Sequence, residues 1–172
     1  MSVIDDNKDL VRRYFEALAR FDLDAISSLM APELRFRCAG GTGAEDPVVF
    51  HSPRELIDDL RHNLRVLYDP DPDPEVLNLT AEADRVVAEV RIRARSLETG
   101  EVYDNLYAFF FWIRDGVFVE IHEHLDTQYV WKNLLGPAGI ASGAQMPWLD
   151  EPESRAVSGP GLLFGHGFAQ SR

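Results

Sequence analysis

Acid/base side chains are concentrated near the end of the last predicted strand, where Glu120, His122, Glu123, His124 and Asp126 occur within seven positions. Successive residues of a strand point to opposite faces of the sheet, so Glu123 lies on the face opposite both histidines. A carboxyl group enclosed by apolar neighbours has a raised pKa, which suits general acid/base catalysis. The alternative for Glu123 is a carboxylate that pairs with an arginine or opens onto solvent.

Metal-ligating residue types also occur in this segment. His122 and His124 share one face of the strand with Glu120 and Asp126, and imidazoles at this spacing can bind zinc. A metal site needs a suitable arrangement of its ligands as well as suitable residue types. We therefore expect a solvent-exposed or interfacial histidine pair that binds no metal. We expect no cofactor elsewhere. Cys38 is the only cysteine, so an intrachain disulfide and a multi-cysteine zinc site are both excluded.

The charge balance argues against two classes of partner. Acidic residues outnumber basic residues by 29 to 17, which gives a formal net charge of −12 over 172 residues. Nucleic acids and anionic membranes are bound through clustered lysine and arginine, so neither is an expected partner. The N-terminal residues lack the pattern of a signal peptide, and the longest apolar stretch, residues 106–113, is too short to span a bilayer. We therefore expect a cytoplasmic protein.

Three predicted helices precede most of the strands. Apolar residues recur at helical spacing over residues 9–20, which predicts the first helix. A short second helix is expected to follow from Asp22 and to be stopped by Pro32. The third begins at Ser52, whose hydroxyl caps it, and Glu55 completes a capping box.

Alternating apolar and polar residues predict the strands, and Asp115-Gly116 predicts a tight hairpin. The predicted strands are residues 34–38, 76–81, 85–97, 102–114 and 117–129. This order of elements predicts an α+β fold with helices packed on one face of a curved, mostly antiparallel sheet.

The composition divides the chain into two parts. We expect one domain over residues 1–132 and a Gly/Pro-rich C-terminal arm over residues 133–172, which holds seven of the 12 glycines and four of the 10 prolines. Because Trp148 and Phe164 would be costly to expose, we expect this arm to dock on the domain or on a partner.

Two segments resemble a known family. Residues 10–18, Leu-Val-Arg-Arg-Tyr-Phe-Glu-Ala-Leu, open like SnoaL-like and ketosteroid-isomerase-like proteins of the nuclear transport factor 2-like superfamily. The hairpin of residues 107–127, which contains Asp115-Gly116 and the Glu-Ile-His-Glu-His-Leu-Asp sequence, is similar to their closing hairpin. The resemblance covers about residues 5–132. It implies a cone-shaped roll in which about three N-terminal helices pack on a strongly curved sheet.

The resemblance also implies a ligand cavity between the sheet and the helices, and a homodimer formed through the outer face of the sheet. The side chains that it assigns to the cavity are Tyr14, Cys38, Val90, Ile92, Asn105, Tyr107, Ile121 and Glu123. We also expect Phe109 in the wall of the cavity. Asn105 and Tyr107 would orient a ligand by hydrogen bonding, or would simply pair across strands.

Three residues match catalytic positions of relatives. Asp126 matches the acid/base aspartate of SnoaL-type polyketide cyclases, and Tyr14 matches the oxyanion-binding tyrosine of ketosteroid isomerases. The alternatives are that Asp126 caps the turn before Gln128 and that Tyr14 is a core residue whose hydroxyl finds one partner. Glu123 matches the catalytic carboxylate of limonene epoxide hydrolases. The general base of the isomerases is replaced by Cys38. The arginine and second aspartate of the epoxide hydrolases fall on Val90 and Ile92.

These observations lead to one preferred hypothesis and two alternatives. The preferred one is a SnoaL-like enzyme that acts on an apolar, oxygenated small molecule, as a cyclase, isomerase, dehydratase or hydrolase. Asp126 or Glu123 would move the proton, and Tyr14 would steady the oxygen. The first alternative is a non-catalytic dimeric module that binds an apolar ligand, and the second is a metal-dependent site on His122 and His124.

Overall fold

A computed structural model describes residues 2–38, 48–68, 72–97, 99–130 and 133. The helices are α1 (Val3–Ala19), α2 (Leu23–Ser28), α3 (Pro53–Leu67) and α4 (Thr127–Val130). The strands are β1 (Met30–Cys38), β2 (Val48–Phe50), β3 (Asp73–Glu82), β4 (Arg85–Arg95), β5 (Val102–Arg114) and β6 (Val117–Leu125). Apart from Asn133, the predicted C-terminal arm lies outside the described residues.

The strands form one six-stranded sheet in the order β2-β1-β6-β5-β4-β3. All pairings are antiparallel except that of β1 with β6, which is parallel. The first three helices precede most of the sheet along the chain, and α1 packs across β3 and β4. The predicted α+β architecture is therefore confirmed. In the part of the chain that is described, no helix is long and apolar enough to cross a membrane.

Strand alternation determines which side chains of β5 enter the core. Tyr103, Asn105, Tyr107, Phe109 and Phe111 are buried, whereas the residues between them are more exposed. The hairpin that joins β5 to β6 is the predicted one: Asp115 and Gly116 both have positive φ, 51° and 78°, as a two-residue type I′ turn requires. The turn pairs Arg114 with Val117, and the register then shifts by one residue between Ile113 and Trp112, so that Glu123 lies opposite Phe109.

The start of α1 and the capping of α3 both differ from the prediction. α1 begins at Val3, because the Ser2 hydroxyl accepts a hydrogen bond from the Asp5 amide, 3.2 Å, and the Asp5 carboxylate accepts one from the Ser2 amide, 3.2 Å. The Ser52 hydroxyl caps α3 as predicted, at 3.2 Å from the Glu55 amide. The Glu55 carboxylate, however, accepts from the amide of His51, so the capping box does not close on Ser52.

Pro32 does not stop the second helix, contrary to the prediction. α2 already ends at Ser28, and Pro32 lies within β1. A strand tolerates proline where its missing N–H is not needed by a neighbour, and the pairing of β1 with β6 is irregular between Met30 and Arg35. The last strand is also shorter than predicted, because Asp126 starts α4 instead of continuing β6.

Candidate functional site

A cavity of about 80 Å³ lies between helices α1 and α3 and the concave face of the sheet. Its walls are mostly aromatic and aliphatic, with one carboxyl group and three tyrosines. The lining residues are Tyr14, Leu18, Phe36, Leu60, Leu64, Tyr68, Pro72, Ile92, Tyr107, Phe109 and Glu123. Pockets for drug-sized ligands measure roughly 300–1,000 Å³, so this cavity accepts only a small molecule unless the lining side chains move.

Glu123 is the carboxyl group of this cavity. It lies on β6 with Cys38 of β1 on one side and Phe109 of β5 on the other. Part of its side-chain surface faces the cavity, so the residue is half-buried, yet the surrounding protein withdraws the carboxyl group from bulk water. This desolvation raises the pKa of Glu123 from 4.5 to about 7.

Two neighbours adjust that pKa in opposite directions. The Cys38 side chain hydrogen-bonds to the Glu123 carboxylate and lowers the pKa, whereas the negative charge of Asp59 raises it. Within the described ranges, no arginine, lysine or histidine forms a salt bridge with Glu123. The paired-carboxylate alternative from the sequence therefore has no cation to support it in these ranges.

Tyr14 reaches the same cavity from α1. Its ring packs edge-to-face against Phe111 and Phe118, at centroid distances of 5.7 and 5.8 Å, and the residue is only 3% exposed. Among the residues that the structure describes, none hydrogen-bonds to the Tyr14 hydroxyl. Burial, with a smaller effect from the charge of Glu123, raises the Tyr14 pKa far above its ordinary value. Tyr14 is therefore a neutral hydroxyl that forms no hydrogen bond with the residues that the structure describes.

Three further hydroxyl groups meet at another part of the cavity. The hydroxyls of Tyr103 and Tyr107 lie 2.6 Å apart, and the Tyr68 hydroxyl hydrogen-bonds with both. Tyr68 and Tyr107 line the cavity, whereas Tyr103 is completely buried behind them. Burial raises the pKa of Tyr68 and Tyr107 well above the ordinary value, so these groups stay protonated.

Asn105 anchors this tyrosine cluster. Its side-chain nitrogen donates to the Tyr103 hydroxyl at 2.9 Å and to the backbone oxygen of Asp126 at 3.2 Å. Its side-chain oxygen accepts from the Leu106 amide at 2.9 Å. Asn105 thus joins the cluster to the end of β6, in addition to the cross-strand pairing expected from the sequence.

Sequence reasoning missed Tyr68 and Tyr103. Tyr103 has the same strand parity as Asn105 and Tyr107, so extending the alternation of β5 by one step would have found it. Tyr68 follows the last residue of α3, where no periodic pattern indicates which way the side chain points.

The aliphatic and aromatic residues predicted for the cavity all lie on the buried face. Ile92 and Phe109 line it directly, whereas Val90 and Ile121 are fully buried in the core. Cys38 is half-buried at the edge of the site and contacts it through Glu123.

Asp126 is separated from this group. Its side chain is exposed, and its carboxylate oxygen accepts a hydrogen bond from the Tyr129 amide at 2.9 Å, which caps α4. The backbone oxygen of Asp126, and not its carboxylate, contacts the tyrosine cluster through Asn105. A catalytic role for Asp126 stays a prediction.

His122 and His124 lie on the outer face of the sheet, as their parity predicts. The His122 ring nitrogen lies 2.7 Å from a Glu120 carboxylate oxygen, and the two imidazoles pack against Trp112 and Phe110. Partial burial lowers the pKa of His124. The described residues contain no group of three or more histidine, cysteine, aspartate or glutamate side chains that could hold a metal ion.

A second, wider groove of about 480 Å³ runs between α1 and β3. It is open to solvent, and its charged side chains, Arg12 and Glu16, are exposed. Since exposed charges stay hydrated and weakly interacting, this groove lacks the desolvated acid/base group that the smaller cavity has.

Comparison with solved structures shows the same fold in several proteins. An NTF2-like protein of unknown function from Burkholderia pseudomallei K96243 is 22% identical, with a TM-score of 0.64 over 74% of this chain and 94% of the other. A candidate SnoaL-like polyketide cyclase from Jannaschia sp. CCS1 is 21% identical, with a TM-score of 0.65 over 80% and 97%. An LEH-like epoxide hydrolase from M. tuberculosis is 15% identical, with a TM-score of 0.63 over 78% and 92%.

The sequence itself was compared with curated proteins and with family models. No curated protein matches it. The family model described as the SnoaL-like domain matches residues 11–121, a range that begins within α1 and ends in β6, two residues before Glu123. The chain belongs to the SnoaL-like domain family.

Proposed function

We propose that the protein is a small-molecule enzyme in which Glu123 transfers a proton to and from the ligand. The supporting observation is a carboxyl group with a pKa of about 7 on the wall of an apolar cavity. Near neutral pH such a group is populated in both protonation states, so it can accept a proton in one step and return it in the next. An ordinary glutamate is almost fully ionised there and is a poor acid.

Tyr14 supplies the second function that such a reaction needs. Removing a proton from a carbon next to a carbonyl group develops negative charge on the carbonyl oxygen. The neutral, desolvated Tyr14 hydroxyl has no hydrogen-bond partner in the described part of the chain, so it is suited to donate a hydrogen bond to that oxygen. The shared cavity and the electrostatic coupling between Tyr14 and Glu123 support this pairing of roles.

The cavity walls suggest the substrate class. Leu18, Phe36, Ile92 and Phe109 favour an apolar body, whereas the tyrosines favour an oxygen atom on it. Isomerisation, aldol-type cyclisation and dehydration of such a compound can each begin with removal of the proton next to its carbonyl group, whereas in hydrolysis the same carboxylate would take the proton from the attacking water. The structurally similar proteins include a candidate polyketide cyclase and an epoxide hydrolase. The epoxide hydrolase mechanism has less support, because Val90 and Ile92 stand where its charged residues would be.

Asp126 is the competing candidate for the proton-transfer group. Its match to the polyketide cyclases favours a catalytic role. Its carboxylate, however, is exposed and caps α4, which argues against that role. The paired variants Glu123→Gln and Asp126→Asn decide between the two carboxylates, since each removes one acid/base group with little change of shape.

Proton exchange on carbonyl compounds tests the proposal without knowledge of the natural substrate. A panel of small cyclic ketones and enones is incubated with the protein in D2O, and exchange of the hydrogens next to the carbonyl is followed by NMR. We expect at least one compound to exchange, and Glu123→Gln to reduce the rate by roughly 10²-fold or more. Asp126→Asn and the exposed control Glu33→Gln should retain it. An equal rate in Glu123→Gln would contradict the proposal.

The second candidate is a non-catalytic module that binds an apolar ligand. It is favoured by the small volume of the cavity and by the lack, within the described ranges, of a cation beside Glu123. In that case no compound of the panel exchanges, and binding depends on the apolar walls, so a ligand binds Glu123→Gln as tightly as the wild type.

A second copy of the chain is the expected macromolecular partner. On the outer face of β5, three large apolar side chains are exposed: Val102, Leu106 and Phe110, at 58%, 53% and 37%. Apolar residues on such a face are commonly covered by a symmetric partner. This supports the homodimer that the family resemblance implies.

A further inference from the structure

The groove between α1 and β3 takes no part in the proposed function, because it shares no lining residue with the smaller cavity. Its helix wall is formed by Arg12, Phe15 and Glu16, and its strand wall by Pro74 and residues 76–79. Most of these side chains are apolar, and the two charged ones are exposed. An open groove of about 480 Å³ between a helix and a strand has the shape to accept a further segment of chain.

β3 is an edge strand, and it has a bulge within this groove. In the described part of the chain it pairs only with β4, so its other side has no strand partner there. The residues on either side of Leu77 pair with Val90 and Glu89, which are adjacent in β4, so Leu77 is the extra residue of the bulge. Its side chain is 40% exposed. An edge strand that exposes a large apolar side chain is suited to pair with another extended segment.

The described chain ends near the beginning of this groove. The Thr99 hydroxyl donates a hydrogen bond to the backbone oxygen of Asn133 at 3.3 Å, and Thr99 lies in the connection that follows β4. Asp73, the first residue of β3, pairs with Arg93 near the end of β4. The groove occupies the first half of β3. The chain therefore continues from the end of the sheet at which the groove begins.

Residues 134–172 are long enough to reach every part of the groove. The 15 residues from Asn133 to Trp148 span up to about 50 Å when extended. The whole of β3, with ten residues, is only about 33 Å long. A second apolar run, residues 162–164, is about twice as far along the chain from Asn133, so its docking would close a longer loop at a higher cost in entropy.

The composition of residues 146–149 fits a place beside an edge strand. Met146, Pro147, Trp148 and Leu149 are four consecutive apolar residues. In an extended segment, Met146 and Trp148 direct their backbone groups to one side and Pro147 to the other. When Met146 and Trp148 bond to β3, the missing N–H of the proline therefore falls on the side that faces away from the sheet, where a strand tolerates proline.

From the place of the groove and the length of the chain that follows, we infer that residues 146–149 of the same chain dock as an extended segment on the free side of β3. The Trp148 side chain packs on Leu77 between β3 and α1. Backbone hydrogen bonds to the edge strand and burial of the indole both stabilise this arrangement. The docked segment covers the edge of the sheet, which protects β3 from pairing with another copy.

Chymotrypsin cleavage of the full chain tests the docking, because the enzyme cuts after aromatic residues and the fragment masses identify each site. In the wild type we expect slow cleavage after Trp148 and rapid cleavage after Phe164. Leu77→Asp should speed cleavage after Trp148 about tenfold or more, since the rate follows the population of the undocked segment, and should leave cleavage after Phe164 unchanged. Leu106→Asp, at an exposed leucine of the outer sheet face, should match the wild type. Equal rates after Trp148 in the wild type and Leu77→Asp would overturn the inference.

A cross-linking experiment keeps Leu77 in place and identifies the chain to which the segment belongs. In a Cys38→Ala background, Asn78→Cys and Met146→Cys supply the only two thiols, and a short bismaleimide is added. We expect a link within one chain, located by peptide masses. The control with Glu33→Cys in place of Asn78→Cys, at an exposed position of β1, should link far less. A product that joins two chains, or no more product than in the control, would overturn the inference.

This inference and the proposed function fail independently. Glu123→Gln should lose proton exchange and keep the slow cleavage after Trp148, because the groove and the cavity share no lining residue. Leu77→Asp should expose the segment and keep Glu123-dependent exchange.

Discussion

Cys38 and Glu123 lie side by side in the parallel pairing of β1 with β6, and their side chains hydrogen-bond to each other. A thiol that donates to a carboxylate favours the ionised form and so lowers its pKa. Desolvation acts in the opposite direction and is the stronger effect, which leaves the Glu123 pKa at about 7. Cys38 thus keeps the pKa of Glu123 lower than desolvation alone would set it.

Cys38→Ala should raise the Glu123 pKa further above 7, because it removes a donor to the carboxylate and leaves the desolvation in place. Cys38→Ser keeps a hydroxyl donor and should leave the pKa at or below the wild-type value. The midpoint of the pH dependence of ketone exchange measures both changes. A midpoint in Cys38→Ala equal to or below that of the wild type would contradict the assigned hydrogen bond.

The stability of the protein should fall as pH rises through neutrality. The folded protein holds the Glu123 proton more tightly than the unfolded chain, since its pKa rises from 4.5 to about 7 on folding. The resulting stabilisation is fully present below about pH 4.5 and is lost as pH rises through about 7. It amounts to no more than about 3 kcal/mol.

Urea unfolding at pH 5 and pH 8.5 measures this effect through the variants. Glu123→Gln cannot ionise, so its stability relative to the wild type should improve between the two pH values. The exposed control Glu33→Gln should track the wild type. Parallel pH dependences in wild type and Glu123→Gln would show that Glu123 has an ordinary pKa.

Two buried tyrosines should differ in what their hydroxyls contribute. Tyr14→Phe removes a hydroxyl that has no partner among the described residues, so the free energy of unfolding should change by less than about 1 kcal/mol. Tyr103→Phe leaves the partners of its hydroxyl unsatisfied and should cost about 1–3 kcal/mol. The rate of proton exchange on the ketone, by contrast, should fall about a hundredfold in Tyr14→Phe, because the donor to the developing negative charge is lost. Equal destabilisation by both changes would argue against a free Tyr14 hydroxyl.

Leu106→Asp should convert the proposed homodimer to a monomer, because it introduces a charge into the outer sheet face. Leu77→Asp is the matched control. Leu77 is also an exposed leucine, at 40%, but it lies on the edge strand β3, which is separated from β5 by β4. Light scattering after size exclusion gives the mass of each form. A monomeric wild type, or a dimer unaffected by Leu106→Asp, would contradict this interface.

Local rules predicted the elements that position the site. Strand alternation placed Asn105, Tyr107 and Glu123 on the buried face and His122 on the outer face, because parity depends only on counting along the strand. Asp115-Gly116 predicted the tight turn of the last hairpin, because glycine, asparagine and aspartate adopt its positive φ angles most readily. The register shift between Ile113 and Trp112, which brings Glu123 opposite Phe109, was not predicted.

The remaining features depend on contacts between distant parts of the chain. The hydrogen bond of Cys38 with Glu123 requires the parallel pairing of β1 with β6, which no local pattern encodes. The position of Tyr68 depends on an isolated antiparallel bridge with Ser96, which follows β4 in the chain. Strand β1 can contain Pro32 because its pairing with β6 is irregular between Met30 and Arg35, where the missing N–H of proline is not needed. These are long-range effects, and the tyrosine cluster and the Glu123 pKa arise from them.

The most direct measurement is the pKa of Glu123 itself. Carbon-13 labelling of the glutamate carboxyl groups and an NMR titration from pH 3 to pH 9 report every glutamate, and Glu123→Gln identifies the relevant signal by its absence. We predict a midpoint near 7 for Glu123, well above the ordinary glutamate value of 4.5. A midpoint near 4.5 would contradict the claim that this carboxyl group is desolvated for proton transfer.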